Sequence, residues 1–300
     1  MSKHVMQVNN IEKTFQSTKA VDKVSFQVET GEVLGLLGPN GAGKTTTIRM
    51  IMDIIQPDQG EIILNKELIT NQKQIGYLPE ERGIYDSTKV FDTILYFADL
   101  KGMKMDKAKE EADKWLELFD LIEYKNNKIE DLSRGMQQKV QFIISVIHKP
   151  KLLILDEVFS GLDPVNQELF KEIIRDLTKE GTTILLSSHR MNLVEEVCSR
   201  IFMINKGKRV LYGKIDDIKD EYNEKKVILK SKNDLSFIKS LSSVSDIEID
   251  ENEVTFNIKN DVNIKEFLSF ISEKIEVDEI SIVKPPLHEI FVHAAKGGNS

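Results

Sequence analysis

The sequence predicts an α/β fold: a parallel-sheet domain with an inserted helical block, followed by a small α+β unit. Three observations carry this prediction. Short continuous apolar runs end in glycine, carboxylate or hydroxyl residues, as buried parallel strands do when functional groups sit at their C-terminal ends. Residues 88–149 switch to apolar spacings of three and four, the helical period. From about residue 224 onward arginine is absent and the elements shorten, which marks a second unit.

Taken in chain order, "VLGLLG" (33–38) is a buried strand, followed by a glycine loop and the helix "KTTTIRMIMDII" (44–55). "QIGYLP" (74–79), "LLILDE" (152–157) and "TTILLSSH" (182–189) are further buried strands running into polar residues. Between the first two of these lies the helical block, with "KVFDTILYFADL" and "KAKEEADKWLELFDLI" as amphipathic helices. "IFMINKGKRVLYG" (201–213) is a hairpin turning at Lys206-Gly207. After residue 224 come the strand "KVILKS", the helix "DLSFIKSL", the strands "DIEID" and "EVTFNIK", the helix "NIKEFLSFISEK" and the strand "VDEISIV". That order, βαββαβ, is a split-βαβ pattern with an antiparallel sheet. "KPPLHEIFVHAA" closes the chain as a proline-started helix.

Composition narrows the classes. Three hundred residues suit two domains, and 40% apolar with 30% charged residues supplies a core and a soluble surface. A net charge of −8 argues against a nucleic-acid-coating surface, so no nucleic-acid partner is expected. The single cysteine, Cys198, excludes an internal disulfide and fits a reducing cytosol. No apolar signal core opens the chain, and no apolar run reaches membrane-spanning length. The chain is therefore expected not to cross a membrane by itself, though it can sit against one.

The chemistry concentrates in a few stretches. "GPNGAGKT" (Gly38, Pro39, Asn40, Gly41, Ala42, Gly43, Lys44, Thr45), extended by Thr46, matches G-x-x-x-x-G-K-T between a strand and a helix. Glycines let backbone N–H groups converge on phosphate, Lys44 reaches the terminal phosphates and Thr45 offers a hydroxyl to Mg²⁺. A structural glycine turn is the alternative, disfavoured by eight matching positions in that context. Asp156 closes an apolar strand, placed to hold magnesium, and Glu157 beside it can orient or deprotonate water. An acidic strand end is weak alone and strong after a phosphate loop. His189 could reach a γ-phosphate, although a lone histidine at a strand end is more often solvated or core. In "LSRG" (132–135), the Ser133 hydroxyl and the Gly135 N–H open a helix and could cover a phosphate. Taken alone, such a turn is usually an N-cap. Carried on an outlying helical block, it would cover the nucleotide of a second, antiparallel copy, so that two copies sandwich two ATP molecules.

Over residues 4–217 these motifs resemble the nucleotide-binding subunit of an ABC transporter. "GPNGAGKTT" resembles the Walker A loop, "LLILDE" the Walker B strand and "LSRGMQQ" the LSGGQ signature. "SGLD" (160–163) resembles the D-loop and supplies Asp163; His189 falls at the switch histidine, and Phe15 at the aromatic that stacks on adenine. The resemblance implies a P-loop NTPase fold of the ABC ATPase kind, ATP and Mg²⁺ as cofactors, and ATP hydrolysis. It also implies a homodimer or pseudo-symmetric dimer bound to an integral membrane permease on the inner face of the cell membrane. Two motifs depart from the family pattern. Arg134 and Met136 replace the consensus Gly and Gln of the signature, and Glu80 stands where the Q-loop glutamine is expected. Its carboxylate can still ligate Mg²⁺ or a water. "YLPEERGIY" resembles a bacterial subgroup that includes sodium-extrusion and drug-export ATPase subunits, whose compact extension resembles residues 224–300. An exporter is therefore expected, with Tyr85 exposed in the groove that receives the permease. The alternatives are a soluble, non-transport ABC ATPase and an ATPase regulated by a small molecule at the C-terminal unit.

Overall fold

In the computed structural model the described residues are 4–66, 68, 72–81, 83, 87–222, 224–259 and 261–297. Tyr85 lies outside them. The chain divides into two compact units, Met1–Lys214 and Ile215–Ser300.

The first unit carries two sheets. Strands β1 (His4–Phe15), β2 (Thr18–Glu29) and β4 (Gln59–Leu64) form an antiparallel sheet in the order β2-β1-β4. The second sheet runs β5-β6-β7-β3-β8-β9, built from β3 (Val33–Leu37), β5 (Ile75–Leu78), β6 (Leu152–Asp156), β7 (Thr183–Ser188), β8 (Arg200–Asn205) and β9 (Lys208–Lys214). Its strands pair in parallel except β9, which returns antiparallel on β8. β3, β6 and β7 are buried along their whole length, which is why their sequences read as unbroken apolar runs rather than alternating ones. The turn residues of the β8–β9 hairpin, Lys206 and Gly207, both have positive φ (48° and 76°), as a two-residue hairpin turn requires.

Helix α1 (Lys44–Ile51) leaves the phosphate loop and packs Ile48 into a core shared with Phe26, Leu34, Leu185 and Phe202. It stops short of the expected residue 55. Asp53 takes a left-handed conformation (φ 58°), which an L-residue inside a helix cannot hold. The helical block comprises α2 (Val90–Leu100), α3 (Met105–Leu118) and α4 (Arg134–Val146). An aromatic cluster roots it. Phe142 on α4 lies 4.8 Å from Phe170 on α5 (Pro164–Lys179), and Phe119 lies 5.3 Å from the same ring. Helix α6 (Met191–Val197) follows β7.

The second unit contains α7 (Ile215–Glu221), β10 (Glu224–Lys230), β11 (Val244–Asp250), β12 (Glu253–Lys259), α8 (Ile264–Lys274), β13 (Glu279–Val283) and α9 (Leu287–Gly297). Its four strands form an antiparallel sheet in the order β11-β12-β10-β13, the arrangement that split-βαβ connectivity yields. Val227, Phe256, Phe267 and Ile271 fill its core. One element differs from expectation. "DLSFIKSL" makes only a 3₁₀ turn over Ser236–Ser240, because Asp234 accepts from both the Ser236 amide (2.8 Å) and its hydroxyl (2.7 Å), and these local bonds compete with a longer helix.

Candidate active site

The site grows from the C-terminal ends of β3, β6 and β7. β3 runs into the loop Gly38–Gly43, and α1 begins at Lys44 with its free amides facing the loop. The loop tolerates no side chain at Gly43: φ is 110°, and a Cβ there would lie 2.5 Å from the Ala20 carbonyl oxygen. Lys44, 6% exposed, folds back into its own loop. Its Nζ donates to the carbonyl oxygens of Gly38 (2.8 Å) and Pro39 (3.3 Å). It also lies 3.2 Å from Glu157 Oε1, close enough for an ion pair but not aligned as a hydrogen bond.

Glu157 follows β6 in a left-handed conformation (φ 53°), a strain of about 1–3 kcal/mol for a non-glycine residue. Its other oxygen, Oε2, lies 2.9 Å from Nδ1 of His189, just past β7. Its amide donates to both the backbone oxygen and the hydroxyl of Ser187 on β7, each at 3.2 Å. The Ser187 hydroxyl in turn donates to Asp156 Oδ1, while Asp156 Oδ2 is buried with no hydrogen-bond partner among the described residues. Burial pushes the Asp156 carboxyl above its ordinary range; the Ser187 hydroxyl opposes this, and the charges of Glu80 and Glu157 add to it. Burial, reinforced by the Asp156 charge, also lifts the Tyr77 phenol to about 12.

A cavity of about 250 Å³ is lined, among the described residues, by Ala20, Asn40 through Thr46, Glu80 and Glu157. The Thr45 hydroxyl lies 3.5 Å from Glu80 Oε2 at its edge. A larger, mainly apolar cavity of about 870 Å³ touches Val5, Leu64, Leu177 and Thr183, at the opposite ends of β6 and β7, and none of the motif residues lines it. Chemistry, not size, locates the site.

The remaining sequence-predicted residues lie outside the lining of the phosphate cavity. Phe15, at the end of β1, is 47% exposed and presents its ring to solvent with Lys13 Nζ 5.8 Å from the centroid. Ser133 is the N-cap of α4, accepting from the Met136 amide at 3.4 Å, and Asp163 is the N-cap of α5, accepting from the Asn166 amide at 3.0 Å. Gly135 sits inside α4, half-buried, and among the described residues no atom beyond its chain neighbours and its own helix backbone lies within 4 Å of where a Cβ would be. Nothing among the described residues requires a glycine there. Ser187 was not legible as a site residue. Its only signal is a hydroxyl inside a fully buried strand, two positions before His189.

A glycine loop between strand and helix, a buried lysine in that loop and a neighbouring strand ending in two carboxylates define a P-loop nucleotide-binding domain. The family model for ABC transporters matches residues 21–160, and the model for the C-terminal domain of DrrA1-3-like ATP-binding proteins matches residues 213–295. YhaQ of Bacillus subtilis (strain 168), an uncharacterized ABC transporter ATP-binding protein, is 42% identical over 290 residues, spanning 96% of this chain and 97% of its own. The linearmycin resistance ATP-binding protein LnrL of the same organism is 30% identical over 303 aligned positions, spanning 96% of this chain and 97% of its own. A solved ATP binding subunit of an ABC transporter superposes with a TM-score of 0.68 at 28% identity, over 73% of this chain and 93% of that one. The chain belongs to the ABC transporter ATP-binding proteins. It is an ATP-binding ABC-type ATPase. Among the described residues, no helix is long and apolar enough to cross a membrane.

Proposed function

We propose that the chain is the ATPase subunit of an exporter, closing on ATP with a second copy or a related chain and driving a separate permease at the inner face of the cell membrane. The name of LnrL, a resistance protein aligned along nearly its whole length, supports export. In this reading Phe15 stacks on adenine, and the amides of residues 38–46 with Lys44 hold the phosphates. Thr45, Asp156 and Glu80 hold Mg²⁺, which neutralises charge on the terminal phosphates when bound. The residues fit that ion: the donors are hard oxygens, and Asp156 Oδ2 is buried without a partner. Among the described residues no group of three His, Cys, Asp or Glu could hold a metal by itself, which suits an ion that takes its other ligands from phosphate and water.

Glu157 accepts the proton of the water that attacks the γ-phosphorus in line as the bond to ADP breaks. His189 holds Glu157 and faces the γ-phosphate. Phosphates entering the loop draw Lys44 away from Glu157, so nucleotide binding itself releases the base. Ser133 and Gly135 cover the γ-phosphate of the partner's ATP, and Asp163 works at the same interface. The single observation that carries this is Gly135: a glycine that none of the described residues requires, beside the exposed Ser133 and Arg134 at a helix start, leaves room for close approach by another molecule. Light scattering on Glu157→Gln tests it. With ATP and Mg²⁺ the species should double from 34.3 kDa and return to the monomer without nucleotide. A monomer at saturating ATP overturns closure between two copies of this chain.

A second reading, regulation through the C-terminal unit, is favoured by a cavity of about 410 Å³ there, lined by Tyr222, Lys226, Asp246, Asn257 and His293 among others. Melting of the whole chain against a panel of small organic cations and acids tests it; no shift with any of them rejects it.

A further inference from the structure

We infer that Ser187 is a positioning residue that sets how the Walker B carboxylates meet the magnesium ion and the attacking water. Its side chain is fully buried, with 0% exposure, in the middle of the sheet. A buried hydroxyl needs a hydrogen-bond partner, but it does not need two neighbouring catalytic groups. This one has both. It donates to Asp156 Oδ1 and accepts from the Glu157 amide at 3.2 Å, while the Ser187 backbone oxygen accepts from the same amide at 3.2 Å.

The consequences follow from direction. A hydroxyl has one proton to give, and Ser187 gives it to Oδ1, which leaves Oδ2 as the Asp156 oxygen without a hydrogen-bond partner among the described residues. The carboxylate therefore meets a cation through one fixed oxygen rather than rotating between two. On the other side, two acceptors on one residue hold the Glu157 amide at the point where its backbone turns through φ 53°. That turn brings Oε1 to Lys44 and Oε2 to His189. β6 and β7 pair in parallel with Asp156 directly opposite Ser187, so the sheet register itself delivers the hydroxyl. An alanine at position 187 would keep the strand, the backbone oxygen and the register, and remove only the hydroxyl.

This rests on Asp156 holding magnesium, the role proposed above. Outer-shell hydrogen bonds of this kind change metal affinity or activity by about 10–100-fold. The test compares Ser187→Ala, Ser187→Thr and Asp156→Ala with the unmodified chain, using a fluorescent ATP analogue titrated with and without Mg²⁺. The hydrolysis rate is followed against Mg²⁺ concentration. Ser187→Ala should bind the analogue without Mg²⁺ within twofold of the unmodified chain, need about tenfold more Mg²⁺ for half-maximal tightening of the analogue, and show the same shift in hydrolysis. Ser187→Thr, which keeps the hydroxyl, should restore both. If Ser187→Ala fails to fold, Ser187→Cys replaces it, since a thiol of similar size is a weak donor and predicts the same shift. An unchanged Mg²⁺ requirement in the hydroxyl-free variant, with Asp156→Ala strongly impaired, overturns the role of Ser187 alone. An unchanged requirement in Asp156→Ala overturns the magnesium reading and the inference with it.

Discussion

Replacing Glu157 by glutamine separates the chemistry of the site from its architecture. The side chain keeps its size, so the amide contacts to Ser187 and the packing stay, and only the charge and the proton acceptor go. Two effects of opposite sign follow. Loss of a general base lowers the hydrolysis rate about 10²–10⁴-fold, or roughly 3–5 kcal/mol of barrier. The Lys44–Glu157 pair, at 3.2 Å and 6% exposure on both sides, has a gross Coulomb attraction of about 5 kcal/mol at an effective dielectric near 20. Much of this is offset by desolvation, so the net figure is on the order of 1 kcal/mol. ATP no longer has to displace that carboxylate from Lys44, and it meets one negative charge fewer. The variant should therefore bind ATP about five- to tenfold more tightly while hydrolysing it poorly. Phosphate release and calorimetry read the two quantities separately. A turnover within threefold of the unmodified chain would refute the base, and weaker ATP binding would refute the competition for Lys44.

Other expectations follow from single features. Gly135→Ala should raise the stability of the isolated chain by about 0.5–1 kcal/mol, since alanine is the better helix residue and meets nothing, yet lower ATPase activity; a loss of melting temperature would contradict it. Burial, helped by the Lys101 ammonium, holds the His148 imidazole down at about 4 from an ordinary 6.5. The unfolded chain thus binds the extra proton first, and stability falls as pH drops from about 6.5 to 4, by up to about 3 kcal/mol. His148→Gln should flatten that part of a pH–denaturation series, and an unchanged slope would show the imidazole is not responsible. A tagged chain solubilised from membranes should bring an integral membrane protein with it; recovery only from the soluble fraction, without such a partner, speaks against the permease.

The parts of the fold that were legible are those buried on both faces or fixed by turn chemistry. β3, β6 and β7 show as apolar runs, and the hairpin shows through Lys206-Gly207. The three-stranded sheet of β1, β2 and β4 was not read, for a physical reason. β1 shifts register between Val8 and Ile11, between Ile11 and Lys13, and again before Thr14, so its apolar residues do not keep a period of two. At the site, Lys44, Asp156 and Glu157 were legible because their motifs are contiguous in sequence. The Lys44–Glu157 and Ser187–Asp156 contacts were not, since they join strands whose spatial order differs from chain order.

In the proposed dimer each ATP site takes its phosphate loop from one chain and its signature turn from another. Mixing Ser133→Arg with Lys44→Ala tests it most directly. The first chain keeps a working loop but cannot cover its partner's nucleotide. The second keeps a working signature, but loses about a hundredfold in ATP affinity with its loop lysine. A mixed dimer unites the two good halves in one site, so the mixture should show activity that neither variant has alone, greatest near equal proportions. Background activity at every ratio, with mixed dimers confirmed by pull-down on two different tags, would contradict it.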